Sequence, residues 1–314
     1  RLVVDPSKAT TFYLQDQISR TWNTYLLDFL GVDESNLPEI LPSGSAAGKL
    51  LADICEATGL TGGTMVVTGS FDHPSAARST GIFEEGDVLI SAGTSWVAFA
   101  PVHDRNIGPE NGMIVDPFLS PQGCWGVMFA LTAVAAKIDG LLKARFGDIP
   151  DLYARFDREA MKSEAGAGGL LIDPWKQAAD EIADIGTEVD DSAFARAVME
   201  GCAFLMKQKM DKLDGALESG MQRIVMVGGP TKSPVWPEIL SAILGTRISI
   251  PETGAHAGAL GAAIMAGIGT GFFTNLADGW EAMKSGERII DPTPVQTLRY
   301  MDIYKEFCQK FELD

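Results

Sequence analysis

Apolar positions along the chain fall into two periods: short continuous runs that suit strands, and stripes at every third or fourth residue that suit helices. Met65-Val66-Val67 and Val88-Leu89-Ile90-Ser91 are runs of the first kind, each leading into a glycine turn. The second run is expected to extend over about 87–92, and further strands are expected near 95–100 and 113–118, at Ile224-Val225-Met226-Val227 and from Arg247 to Ile250. Helical stripes are expected from Ser7 to Gly31 (Trp22, Leu26, Leu27, Phe29, Leu30), from Ala46 to Thr58 (Leu50, Leu51, Ile54, Ala57) and from Trp125 to Phe146. Gly31 and Gly59 stand where helices commonly stop. Others are expected over 151–162, from Asp190 to about Leu217, over 256–268, and from Pro294 to Phe311 with Leu298, Met301, Tyr304 and Phe307 on one face. Residues 173–190 show no clear period. Strands that precede glycine turns and helices predict an α/β chain with a mixed sheet, and the turn-rich stretch Gly81–Gly86 predicts a join between two domains.

Composition narrows the function. With 25 Lys+Arg against 42 Asp+Glu, the formal charge of −17 opposes nucleic acid and anionic membrane, so any bound phosphate must be held by backbone amides, hydroxyls and a metal ion more than by Lys and Arg. Four scattered cysteines without a paired spacing argue for reduced thiols in a cytoplasmic protein, and three isolated histidines argue against a His-based metal centre. The uncharged run Ala257–Phe273 is rich in glycine, which fits tight helix packing against a sheet better than a membrane span.

Three turns carry candidate chemistry. Gly69-Ser70-Phe71-Asp72 delivers an acid after a strand and before a helix, where Asp72 can serve as an N-cap, as a general base, or as both. Gly93-Thr94-Ser95 can be a plain hairpin turn or an anion nest with two hydroxyls. Gly228-Gly229-Pro230, between a strand and a helix, can be an ordinary connection or a place where a nucleotide lies against backbone without Cβ atoms. His73 reads as a surface residue at a helix start, and Trp125 as core.

The order of these signals resembles the FGGY family of carbohydrate kinases, in the actin-like ATPase superfamily. Asp5-Pro6-Ser7-Lys8-Ala9-Thr10-Thr11, then Trp22, Leu26-Leu27, Gly31 and Leu37-Pro38, is similar to that family's opening run, and Ala57–Asp72 to the segment that presents the catalytic base. Gly93-Thr94-Ser95 matches its second phosphate turn, Arg196–Gly201 its RAxxEG helix, Val227–Trp236 its adenosine loop and Gly258–Ala263 its GALGAA helix. Tyr300, Tyr304 and Phe307 resemble the closing aromatic helix. Departures are Pro230-Thr231 in the adenosine loop, a missing Arg in Gly169–Trp175, and the absence of the family's opening strand and D-x-G-T turn.

The resemblance implies an actin-like, ribonuclease H-like ATPase domain over 83–314, preceded at 1–82 by the tail of a second, similar sugar-binding lobe, with a hinge near 81–86. It implies ATP and Mg²⁺ as cofactors and a sugar or polyol as substrate, leaves a homodimer possible, and implies neither nucleic acid nor membrane as partner. Asp72 would be the catalytic base and reach the metal through water; Gly93, Thr94 and Ser95 would hold phosphate, and Gly228, Gly229 and Ser233 would border adenosine. The chain alone is expected to be inactive. The other reading it leaves is a nucleotide-binding module without catalysis.

Overall fold

A seven-stranded mixed sheet carries the glycine turns in the computed structural model, which describes residues 1–118, 124–177, 182 and 189–313. In chain order, the first elements are β1 (Val3–Val4), α1 (Pro6–Thr10), β2 (Gln15–Asp16), β3 (Thr21–Trp22), α2 (Thr24–Leu30), β4 (Glu39–Ile40), β5 (Ala46–Lys49), α3 (Ala52–Thr58), β6 (Met65–Val67) and α4 (Asp72–Ser79). Next come β7 (Asp87–Ala92), β8 (Trp96–Val102), α5 (Ile107–Glu110), β9 (Ile114–Pro117), β10 (Trp125–Leu131), α6 (Val134–Phe146) and α7 (Leu152–Lys162). The chain finishes with α8 (Asp191–Ala216), β11 (Arg223–Gly228), α9 (Trp236–Leu244), β12 (Ile248–Pro251), α10 (Ala257–Gly269), α11 (Leu276–Met283), β13 (Glu287–Ile290) and α12 (Pro294–Phe311). The sheet runs in the order β13-β12-β11-β7-β8-β10-β9, with β11 and β12 parallel and β12–β13 and β10–β9 antiparallel. Every residue of β8 is buried, as its unbroken apolar run requires.

The chain divides into two compact units: residues 1–89, 99–128 and 256–286 form one, and 90–98, 129–255 and 287–314 the other. In the first, α10 lies against α4 at backbone distance. A Cβ on Gly261 would stand 1.8 Å from the carbonyl oxygen of Ser75, whose hydroxyl donates to the carbonyl of Gly258 at 2.9 Å. The small-residue run packs mainly on this helix, where only glycine permits the approach, and at Gly269 it also meets Val67 of β6, the sheet contact that was expected. Among the described residues, no helix is long and apolar enough to cross a membrane. In the second unit α8, capped by Asp190, buries Phe194, Val198, Phe204, Leu205 and Met210 along its stripe.

Several periodicities are resolved differently from expectation. The stretch 7–31 breaks into α1, the β2–β3 hairpin and α2, because Tyr13 and Arg20 take left-handed backbone and the Trp22 indole donates to the Pro38 carbonyl at 2.8 Å. Ala46–Thr58 opens as a strand paired with β6, and Leu51 and Ile54, expected on a buried helical face, are exposed. Trp125–Leu131 is a strand, its apolar run serving the β9 pairing, and the helix starts only at Val134. On α12 the buried residues are Tyr300, Phe307 and Phe311, one face round from Leu298 and Met301, which are exposed. Strand β13 has no counterpart in the sequence reading, and much of 173–190 lies outside the described residues.

Candidate functional site

Asp72 is the first residue of α4, held from behind by a chain of hydrogen bonds. The amide of Phe71 donates to the Ser7 hydroxyl at 2.8 Å, and that hydroxyl donates to Asp5 Oδ2 at 2.6 Å. Asp5 also accepts from the amides of Ser7 and Lys8 and from the Ser43 hydroxyl, which explains a carboxylate at 4% exposure. At the other end of α4, Arg78 is buried and donates to the Phe118 carbonyl. With both ends anchored and Gly261 under its middle, α4 is a fixed platform for the residue at its start. The capping position belongs to Phe71; the Asp72 side chain is 71% exposed, its Oδ1 accepts the neighbouring His73 amide at 2.9 Å, and His73 Nε2 stands 3.8 Å from the same oxygen. His73, expected at the surface, is mostly buried against Phe71, and burial lowers its pKa. Trp125 is part-exposed and lies beneath the Arg105 guanidinium.

In the other unit, Gly93-Thr94-Ser95 joins β7 to β8. The Gly93 amide donates to the Ser95 carbonyl at 3.1 Å, closing the turn. The Thr94 carbonyl accepts from the Ala135 amide at 3.1 Å and the Ser95 hydroxyl from the Ala133 amide at 3.2 Å, so the turn caps the start of α6. Gly93 opens onto a cleft of about 500 Å³ walled by Ala135 and Ile138 of α6, Tyr153 and Ala154 of α7, and the loop after β11. At its base Trp96 meets Trp236 edge to face at 5.0 Å, both buried.

The loop after β11 is shaped by two glycines with different duties. Gly228, at φ 105°, would place a Cβ 2.1 Å from the Ala92 carbonyl oxygen, so its missing side chain serves the packing of β11 against the end of β7. Gly229 has open space where a Cβ would stand and lines the cleft with Pro230, Lys232 and Ser233. The Ser233 hydroxyl donates to Asp157 Oδ1 at 2.8 Å and accepts from the amides of Val235 and Trp236, fixing the start of α9. Burial raises the pKa of Asp157, opposed by the Ser233 hydrogen bond. The structure thus brings Gly93, Gly229 and Ser233 to one cleft, with Gly228 behind it; Asp72 belongs to the first unit.

Sequence reasoning did not single out Tyr153, Asp157, Ala135 or Ile138. The helical period of α7 marks Leu152, Phe156 and Ala160 as core, and Tyr153 and Asp157 are four residues apart beside that stripe. Nothing in the pattern separates a cleft-facing polar position from a solvent-facing one. The RAxxEG residues are structural: the buried Glu200 Oε1 accepts from the Gly166 amide, Arg196 Nε and the Tyr300 hydroxyl at 2.9, 2.8 and 2.7 Å. They fasten α8 to α12 and to the turn after α7.

Residues 1–78 match the family model for the N-terminal domain of the FGGY family of carbohydrate kinases, and residues 88–270 the model for its C-terminal domain. An autoinducer-2 kinase of Klebsiella pneumoniae is 25% identical over 332 residues, taking in 99% of this chain and 61% of that protein. The autoinducer-2 kinase of Escherichia coli K12 is 27% identical over 326 residues, with 96% and 60% covered. Among solved structures, the ligand-bound xylulose kinase from Lactobacillus acidophilus superposes with a TM-score of 0.86 at 18% identity, over 99% of this chain and 64% of that one. The xylulose kinase from Rhodospirillum rubrum gives 0.80 at 24% identity, over 99% and 63%. The chain therefore has the α/β fold of the actin-like sugar kinases and spans less than two thirds of the length of the curated relatives it matches. Matched by one family model over residues 1–78 and by its partner model over 88–270, the chain belongs to the FGGY family of carbohydrate kinases.

Proposed function

We propose that the protein transfers a phosphoryl group from ATP to a hydroxyl of a sugar or polyol. The observation that carries this is the cleft of the second unit, an apolar slot that opens on the Gly93 turn and has backbone without a Cβ at Gly229. Its volume lies within the usual range of about 300–1,000 Å³ for small-molecule sites. The residues fit a nucleotide: apolar walls suit the faces of a base, and the Gly93–Ser95 turn suits phosphate. Among the described residues there is no group of three or more side chains able to hold a metal. Mg²⁺ would come with the nucleotide phosphates and meet Asp72 through water, where it would neutralise charge developing on the transferred group. Asp72, exposed on its anchored helix, would accept the proton of the substrate hydroxyl; a base of this kind is worth about 10²–10⁴ in rate. Thr94 and Ser95 would hold the transferring phosphates, and Gly229 and Ser233 would border adenosine with Gly228 behind them. The lobe boundary at residues 82 and 83 is part of the same proposal. Relatives named for autoinducer-2, xylulose and glycerol support a small polyhydroxylated substrate.

The test is ATP consumption by the full-length protein against a panel of ketoses and polyols, with Asp72→Asn in the same full-length protein as the control. Turnover with at least one substrate is expected, with its loss in the variant while Mg·ADP still raises the melting temperature of both proteins. A near-normal rate in Asp72→Asn sinks the role given to Asp72.

A further inference from the structure

Asp157 is the one carboxylate among the described residues lining the cleft, and the family motifs do not include it. It stands on α7 beside Tyr153 and Ala154, opposite the loop that carries Ser233. The Ser233 hydroxyl is fully committed: its hydrogen goes to Asp157 Oδ1, and its lone pairs take the Val235 and Trp236 amides at 3.2 and 3.1 Å. Asp157 Oδ2 has no hydrogen-bond partner among the described residues. The pair therefore faces the cleft as an acceptor, in a lining whose other polar side chains are the Tyr153 hydroxyl and the Lys232 ammonium, and a ligand seated against Asp157 must bring a donor or leave a half-buried carboxylate unsatisfied.

The walls decide which part of a nucleotide that is. Ala135, Ile138, Ala154 and Pro230 offer no hydrogen bonds from their side chains, which suits the flat faces of a base that is polar only at its edge. A ribose, polar all round, would lose hydration against them. Resting on the nucleotide reading above, we propose that Asp157 determines base specificity, its Oδ2 accepting a hydrogen bond from the 6-amino group of adenine. A purine with a carbonyl at that position would set acceptor against acceptor and be rejected.

The experiment measures binding of ATP, ITP and 2′-deoxy-ATP to the full chain and to Asp157→Ala and Asp157→Asn, by calorimetry with melting temperatures as a folding control. ATP and ITP differ at the 6-position, amino against carbonyl, and in the protonation at N1 that follows. The wild type should prefer ATP over ITP by about 10- to 100-fold, the span of one hydrogen bond to a charged group. Asp157→Ala should erase that preference by weakening ATP alone. Asp157→Asn, whose amide can also donate, should narrow it by strengthening ITP. An unchanged ATP-to-ITP ratio in both variants overturns the proposal, because a purely structural role through Ser233 would weaken all nucleotides alike. So does a preference for ITP in the wild type, or a penalty for 2′-deoxy-ATP that vanishes with Asp157, which would move the contact to the ribose. Failure of the wild type to bind any of the three overturns the nucleotide cleft itself, an outcome distinct from binding without discrimination.

Discussion

Replacing Gly261 by alanine tests how α4 is held. The added Cβ would lie 1.8 Å from the Ser75 carbonyl oxygen, 2.5 Å from its carbon and 2.8 Å from its hydroxyl oxygen. To widen the first contact even to 3.0 Å the two helices must separate by more than 1 Å. The obstacle is backbone in the first turns of α4, where the Ser75 amide donates to the Phe71 carbonyl at 2.9 Å, so no rotamer change relieves it. Overpacking of this kind costs about 3 kcal/mol at the upper end, against which alanine returns up to about 1 kcal/mol of helix propensity. A net loss of about 2–3 kcal/mol should lower the melting temperature by about 5–10 °C. Gly258, three residues earlier on the same helix, has nothing within 4 Å of its Cβ position, and Gly258→Ala should leave the melting temperature unchanged or raise it by a few degrees. Thermal unfolding followed by circular dichroism distinguishes the two. A wild-type melting temperature for Gly261→Ala, or equal shifts for both variants, would refute the idea that this close approach fixes the platform under Asp72.

Tyr300→Phe removes one of three donors to the buried Glu200 Oε1 and an acceptor for Arg196, and should cost about 1.5–3 kcal/mol in urea unfolding. Glu200→Ala, which leaves the buried Arg196 without its counter-charge, should cost about 3–5 kcal/mol; a neutral Tyr300→Phe would show that the cluster does not clamp α12. Burial, with repulsion from Asp5, pushes the Asp116 carboxyl up to about 7 against the attraction of Arg78 and Arg20. Because the folded chain holds that proton more tightly than the unfolded one, the stability it contributes is complete below about pH 4 and is lost as the pH rises through about 7. Stability measured from pH 4 to 8 should therefore fall less steeply in Asp116→Asn than in the wild type; equal slopes would disprove the assignment.

Local order along the chain was legible wherever one element answered to one signal. Gly31 and Gly59 end their helices in left-handed backbone, Asp190 caps α8, and α12 runs from Pro294 to Phe311 as expected, though Leu298 and Met301 of its stripe are exposed. The glycine turns, too, could be picked out, because a turn after a strand needs residues without a Cβ or with short polar side chains. Duties assigned through space were not legible. Gly228 and Gly229 are adjacent and chemically identical, yet one is required by the Ala92 carbonyl and the other borders open cleft. The same holds for apolar stripes: Leu51 and Ile54 carry a helical period and are exposed, while Trp125–Leu131 forms a strand because β9 is there to pair with it. Sequence by itself determined where the glycine turns lie, most element positions and the membership of the family, since these rest on contacts within a few residues or on a pattern read in order. Tertiary structure alone decided that α10 packs on α4, that the Ser233 hydroxyl donates a hydrogen bond to Asp157, and that Tyr153 and Asp157 face the cleft, since each depends on which distant backbone happens to lie opposite.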